Sequence, residues 1–242
     1  MGQRKRGAIV FLLMAALLAA ASWVLERAVA FGLQGTDDAN IFFRYARNLL
    51  DGHGLVYNAG GEPVEGYTST LWLVVVTYAH LLGARAPHVL WATSLLLAAG
   101  TMTLIAWHSS KSLSRFLPRP VLGPVTLLVG AAALSHPAWM VWNVTSLMDT
   151  GLYTFCLTLA WVALDRLRAG RSDAPRWSVI AASALVLCRP EGLGWVVVLL
   201  VLVAAMGYFR VVPRPSMRAA LRSLALSSAL VAAALLAFRS EE

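Results

Sequence analysis

Apolar runs recur along the whole sequence: Gly7–Leu25, Val89–Trp107, Val121–Leu134, Gly151–Leu164, Trp177–Cys188, Leu193–Phe209 and Leu221–Phe238. Only 13% of the residues are charged and 59% are hydrophobic, whereas a soluble domain carries roughly 25% charged residues. A chain built this way cannot hide all its apolar runs in one water-soluble core. It reads as an all-α polytopic membrane helix bundle, a single module over residues 1–242. The net charge of +8 does not indicate a nucleic-acid partner, because the basic residues are dispersed over several short loops instead of forming one patch.

The basic residues set the topology. Thr70–Leu82 is apolar but only 13 residues long, too short at about 1.5 Å per residue for a hydrocarbon core of about 30 Å. If it spanned, the loops with Lys111, Arg115 and Arg119 and with Arg166, Arg168, Arg171 and Arg176 would both lie outside. If it lies on the outer surface, those loops, the Arg4-Lys5-Arg6 terminus and the Arg210–Arg222 loop all lie inside, and 14 of the 20 Lys and Arg residues are cytoplasmic. The positive-inside rule selects the second arrangement. It gives about seven transmembrane helices, a cytoplasmic N-terminus on a retained first helix (the alternative being a signal peptide cleaved after Ala30), and a first extracytoplasmic loop over residues 32–88 with juxtamembrane helices.

Within that loop, Asp37, Asn40, Arg44, Arg47, Asn48 and Asp51 recur at steps of three and four, with Phe42, Tyr45, Leu49 and Leu50 on the other side. This predicts an amphipathic helix lying on the membrane, begun by Gly35 or Thr36 and ended by Gly52. Asp37 and Asp38 fall in its first turn, where acids also serve simply to complement the helix dipole. His53 reads as a cation suited to the helix C-terminus, and Asn58–Pro63 as a turn. Cys156 and Cys188 each sit in an apolar run and read as packing residues, without a disulfide or metal-ligand spacing.

Most acids fall outside: Asp37, Asp38, Asp51, Glu62, Glu65, Asp149 and Glu191. The run Trp177–Cys188 has 12 residues, so Arg189-Pro190-Glu191-Gly192 should be sunken below the outer surface, and the short run after Asp149 draws that acid inward too. Ionisable groups at such depth face a protein-lined or water-filled cavity. Arg85 and Arg189 lie near the same interface and suit either a phosphate group or lipid headgroups. Acids with arginines in an outward cavity fit two classes: a transferase using a lipid-phosphate donor, or a transporter or flippase component.

The stretch Asp37-Asp38-Ala39, Arg44-Tyr45, Asn48-Leu49, Gly52-His53-Gly54-Leu55-Val56, Asn58, Val64-Glu65-Gly66-Tyr67-Thr68 and Leu71-Trp72 resembles the first outer loop of the glycosyltransferase C superfamily, most nearly its bacterial members related to the mycobacterial terminal arabinofuranosyltransferases. Ser146-Leu147-Met148-Asp149-Thr150 resembles that family's Ser-Gly-Leu/Met-Glu-Thr, with Leu147 where glycine is expected, and Arg189-Pro190-Glu191-Gly192 matches its Arg-Pro-Asp/Glu-Gly. Asn40 and Pro63 also depart from the pattern.

The resemblance implies sugar transfer from a polyprenyl-phosphate donor to a hydroxyl of a glycan or lipid-linked acceptor on the outer side of a bacterial plasma membrane, with inversion. It implies Asp37 or Asp38 as the base and Glu65, Tyr67, Arg85, Asp149, Arg189 and Glu191 as substrate-binding residues. No cofactor is required by the sequence; a divalent metal is compatible with the acids. Such enzymes continue for several hundred residues more, so the resemblance implies a C-terminally truncated member. An inactive scaffold is the other alternative.

Overall fold

The computed structural model is described over residues 35–64, 66–113, 136–209 and 214–240. Among these residues it is all-helical, with no strand. The chain order is α1 (Asp37–Leu50), α2 (Thr70–His80), a short 3₁₀ turn (Gly83–Arg85), α3 (Ala86–Leu113), α4 (Pro137–Met140) running into a π turn (Val141–Thr145), α5 (Thr150–Arg168), α6 (Ala174–Cys188), α7 (Gly192–Tyr208) and α8 (Arg214–Ser240).

Helix α1 forms where the sequence places it, with both aspartates in its first turn. Its buried stripe is Ala39, Phe42, Phe43 and Ala46, the i, i+3, i+4, i+7 spacing of a helix with one apolar face. Tyr45 is buried beside that stripe, but Leu49 and Leu50, expected on the same side, are exposed. Both continue the register of the stripe, but they fall in the last turn, where the helix ends at Leu50. Gly52 adopts a φ of +82°. Its N–H donates to the Leu49 carbonyl and the His53 N–H to the Asn48 carbonyl at 2.9 Å, the paired bonds of a glycine-terminated helix.

Among the described residues one helix, through Ala86–Ser109 in α3, is long and apolar enough to cross a bilayer, and the pair Ala138–Thr145 and Thr150–Arg168, bent by 98° at its break, passes the same test together. The expected spans at Val89–Trp107 and Gly151–Leu164 lie in these elements. Those at Trp177–Cys188 and Leu193–Phe209 correspond to α6 and α7, apolar but only 15 and 17 residues long, and that at Leu221–Phe238 lies in α8. Gly7–Leu25 and Val121–Leu134 lie outside the described residues.

The chain divides into two compact units. The first holds the described residues up to Phe43 together with those of Val75–Phe155; the second holds Arg44–Val74 and Cys156–Glu242. In the first, Trp91 and Leu95 of α3 pack against Met140 and Val144. In the second, Leu167, Ala174, Ala182, Val196, Val203, Ala220 and Leu224 make one core from α5 to α8. Small side chains let these helices approach closely. A Cβ on Gly192 would stand 2.0 Å from the Leu185 carbonyl oxygen, so the α6–α7 return depends on glycine; one on Gly207 would stand 1.6 Å from the sulfur of Met217, a flexible side chain that can move aside.

Helix α7 buries only Gly192, Val196, Leu199, Val203 and Gly207. Its other faces expose Leu193, Trp195, Val197, Val198, Val201 and Leu202. A helix apolar on every side belongs against lipid or another protein, not water.

Candidate functional site

In the first unit, the start of α1 is fastened to the turn before α5. The Thr36 N–H donates to the Ser146 carbonyl at 3.1 Å. Gly35, at φ +74°, has no room for a side chain: its Cβ would lie 3.0 Å from that carbonyl oxygen and 3.3 Å from Leu147. Two segments separated by 110 residues in sequence thus meet, one leading into Asp37-Asp38 and the other into Asp149.

The turn is built to hold that position. The π turn places the Ser146 N–H on the Val141 carbonyl at 2.8 Å. The buried Ser146 hydroxyl donates to the Trp142 carbonyl at 3.0 Å and accepts the Met148 N–H at 3.3 Å. Leu147 is left at φ +55°, a left-handed conformation that costs a non-glycine residue about 1–2 kcal/mol. Asp149 is fully buried and stands at the N-cap of α5, its carbonyl accepting the Tyr153 N–H at 2.9 Å. A carboxylate there complements the dipole of a 19-residue helix. Gly151 follows because a Cβ would meet the Asn143 carbonyl oxygen at 2.5 Å.

Asn143 is the residue here that sequence reasoning did not single out. Its Nδ2 donates to the Trp139 carbonyl at 2.9 Å, and its buried Oδ1 has no hydrogen-bond partner. Nothing in the local sequence marks a π turn; its signal is the close approach to Gly151.

Asp37 and Asp38 are exposed, open to a substrate. Arg85, in the same unit, is exposed on the 3₁₀ turn and makes no ion pair with a described residue.

The second unit holds Tyr67, Arg189 and Glu191, while Glu65 lies outside the described residues. Here the resembling loop is folded back onto α1. The Tyr45 hydroxyl donates to the Val64 carbonyl and accepts the Gly66 N–H at 2.9 Å. Asn48 Nδ2 donates to the Val56 carbonyl at 2.7 Å. Arg44 lies 4.7 Å over the Tyr57 ring, and Tyr67, buried, meets Tyr45 edge-on at 5.0 Å. Most of the loop's polar and aromatic pattern therefore closes the loop itself.

The far end of the loop reaches the Arg189 segment. Ser69 caps α2 by accepting the Trp72 N–H at 3.1 Å, and its hydroxyl lies 3.9 Å from Cys188 Sγ. Arg189 follows in extended conformation, as a residue before proline prefers, and is half-buried, while Glu191 is exposed at the start of α7. Among the described residues no group of three or more His, Cys, Asp or Glu side chains is placed to hold a metal ion.

An all-helical chain with acids at two helix starts and an arginine beside a helix break is the class these residues define. Over 181 residues, 70% of this chain, it is 30% identical to a terminal β-(1→2)-arabinofuranosyltransferase of Mycobacterium tuberculosis. The chain is thus distantly related to a glycosyltransferase, and the matched part spans 28% of that relative's length. No family model matches the chain, and no solved structure matches it.

Proposed function

We propose that the protein is an inverting glycosyltransferase of the plasma membrane, a bundle of seven spanning helices whose first long loop faces outward. It moves a sugar from a polyprenyl-phosphate carrier to an acceptor hydroxyl. The acceptor oxygen bonds to the anomeric carbon as that carbon's bond to the phosphate oxygen breaks. The acceptor proton passes to a carboxylate, and the polyprenyl phosphate leaves as an anion. The transition state has oxocarbenium character, so early departure of the phosphate lets an ordinary carboxylate serve as base.

The observation that carries this reading is the Thr36–Ser146 bond. It fixes the exposed Asp37-Asp38 pair beside the turn that bears buried Asp149. One exposed aspartate acts as the base. Asp149, held at the start of α5, positions the acceptor. Arg189, with its planar fork of donors, meets the departing phosphate, assisted by Arg85. Glu65, Tyr67 and Glu191 complete the substrate contacts. The relative's printed activity, transfer of an arabinofuranosyl group, sets the substrate class to try first.

The test is transfer of radiolabelled sugar from a polyprenyl-phosphate donor into membranes carrying each variant at matched expression. Asp37→Asn and Asp38→Asn keep size and capping ability. One of the two should lower turnover by about 10²–10⁴-fold, the usual contribution of a general base, and the other only modestly. Near-normal turnover in both would reduce the pair to helix-start residues.

A further inference from the structure

In the second unit the short returns bring four helix ends together. Helix α5 ends at Gly170, at φ +64°, with the Gly170 N–H on the Leu167 carbonyl and the Arg171 N–H on the Arg166 carbonyl, both at 3.0 Å. Helix α6 starts four residues later. Helix α7 runs back from the tight turn at Gly192, and its Gly207 touches Met217 near the start of α8. The end of α5, the start of α6, the end of α7 and the start of α8 therefore lie at one end of this unit. Leu167, Ala174 and Ala220 share its core there.

The chemistry of that end is unbalanced. Asp173 pairs with Arg166, which also lies 4.9 Å over the Trp177 ring, and Asp165 pairs with Arg168 at 3.2 Å. Both acids are thereby occupied. Arg171, Arg176, Arg218 and Arg222 are exposed and make no ion pair with a described residue. Beside them, where α7 ends, Tyr208 and Phe209 are 82% and 72% exposed. Further along α7 come the exposed valines, leucines and Trp195 already described.

We infer that this end of the unit binds the headgroups of anionic phospholipids. At this end of the unit the apolar wall of α7, two exposed aromatic rings and four guanidinium groups without an ion pair to a described residue come together. Those are the groups that meet where acyl chains border a charged headgroup layer. An acidic soluble protein or a nucleic acid would match the arginines but leave Tyr208, Phe209 and the wall of α7 against water. Guanidinium groups also grip phosphate through two donors at once, which a diffuse attraction to a membrane does not require.

The inference rests on the membrane placement proposed above and not on the transfer chemistry. The experiment uses the full chain, purified in detergent and freed of co-purified lipid, with phosphatidylglycerol or phosphatidylcholine added and bound lipid counted by native mass spectrometry. Phosphatidylglycerol should be retained in preference to phosphatidylcholine, and raised salt should weaken it. Combined Arg171→Gln, Arg176→Gln, Arg218→Gln and Arg222→Gln should weaken its binding at least tenfold, each arginine near a membrane surface being worth about fivefold. The four corresponding lysine substitutions should keep the salt-sensitive attraction but lose the two-donor grip, so that binding falls between the unaltered chain and the glutamine variant, and Arg47→Gln, in α1, should keep all of it.

Equal retention of the two lipids by the unaltered chain, or full binding by the folded glutamine variant, would overturn the proposal. Displacement of phosphatidylglycerol by excess inorganic phosphate would overturn it too, by making the surface a phosphate site. Binding is read without turnover, so inactivity of the aspartate variants leaves the inference standing. A chain released from membranes by a carbonate wash would instead sink the membrane placement itself.

Discussion

Leu147 is a large, fully buried side chain on a backbone that favours glycine, with φ +55°. Two effects oppose each other when it is truncated. Losing a buried leucine costs about 2–5 kcal/mol, while relief of left-handed strain returns about 1–2 kcal/mol. Burial outweighs strain, so Leu147→Gly should be net destabilising. Leu147→Ala forfeits nearly the same burial and keeps the strain. The expected order therefore inverts the usual one: the glycine variant should be the more stable by about 1 kcal/mol, as read by thermal unfolding in detergent. An alanine variant at least as stable as the glycine variant would show that the turn relaxes once the leucine is gone. The glycine expected at this position from the resembling motif has its physical account in that backbone angle.

Glycines 192 and 194 make a second contrast at this scale. A Cβ at Gly192 would overlap backbone, whereas one at Gly194 meets nothing within 4 Å. Gly192→Ala should open the α6–α7 return at a cost of about 4 kcal/mol, the upper end for single substitutions. Gly194→Ala should be neutral or gain about 0.5–1 kcal/mol from helix propensity. Unfolding measurements on the pair check both.

At the scale of elements, local signals were legible and non-local ones were not. Helix α1 could be read to its last residue because Gly52 closes it through bonds made within five residues. The exposure of Leu49 and Leu50 could not, since how far along a helix its apolar face is covered depends on what packs against it. The Thr36–Ser146 bond lies between residues far apart in sequence, and no periodicity announces it; the motif resemblance marked both segments but not their contact. The cysteines show the same limit. Read singly they are packing residues, yet Cys156 of α5 and Cys188 of α6 are both buried, form no disulfide and lie close enough for their side chains to interact. Membrane-permeant copper phenanthroline should therefore join them, closing α5 to α6 by a disulfide visible as a loss of two hydrogens by mass. Cys156→Ser or Cys188→Ser should abolish that product. Persistent free thiols after oxidation would mean that the two helices stand further apart.

For the whole molecule, the proposed outward placement of the first loop rests on the distribution of arginines and is testable directly. Cysteine at exposed Glu62 serves better than at Gly60, whose φ of +75° strains any side chain. In intact cells an impermeant thiol reagent should label Glu62→Cys from outside and leave Ser172→Cys, in the α5–α6 turn, unlabelled until the membrane is opened. Labelling of Ser172→Cys in sealed cells would invert the orientation and remove the proposed site from the outer side.

The lengths of α6 and α7 carry a further consequence. At 15 and 17 residues and about 1.5 Å per residue they reach only about 22 and 25 Å, against a hydrocarbon core of about 30 Å. Neither can gain length by tilting, since tilt shortens a helix's span. If α6 and α7 span as proposed, the bilayer must thin beside α7, drawing its headgroups toward the midplane on that flank only. The protein should therefore be most heat-stable in nanodiscs of short-chain lipid, losing stability as the acyl chains lengthen. In a mixed membrane it should gather the thinner lipids around that one face, and a long lipid-linked substrate approaching there would find the headgroup layer already lowered.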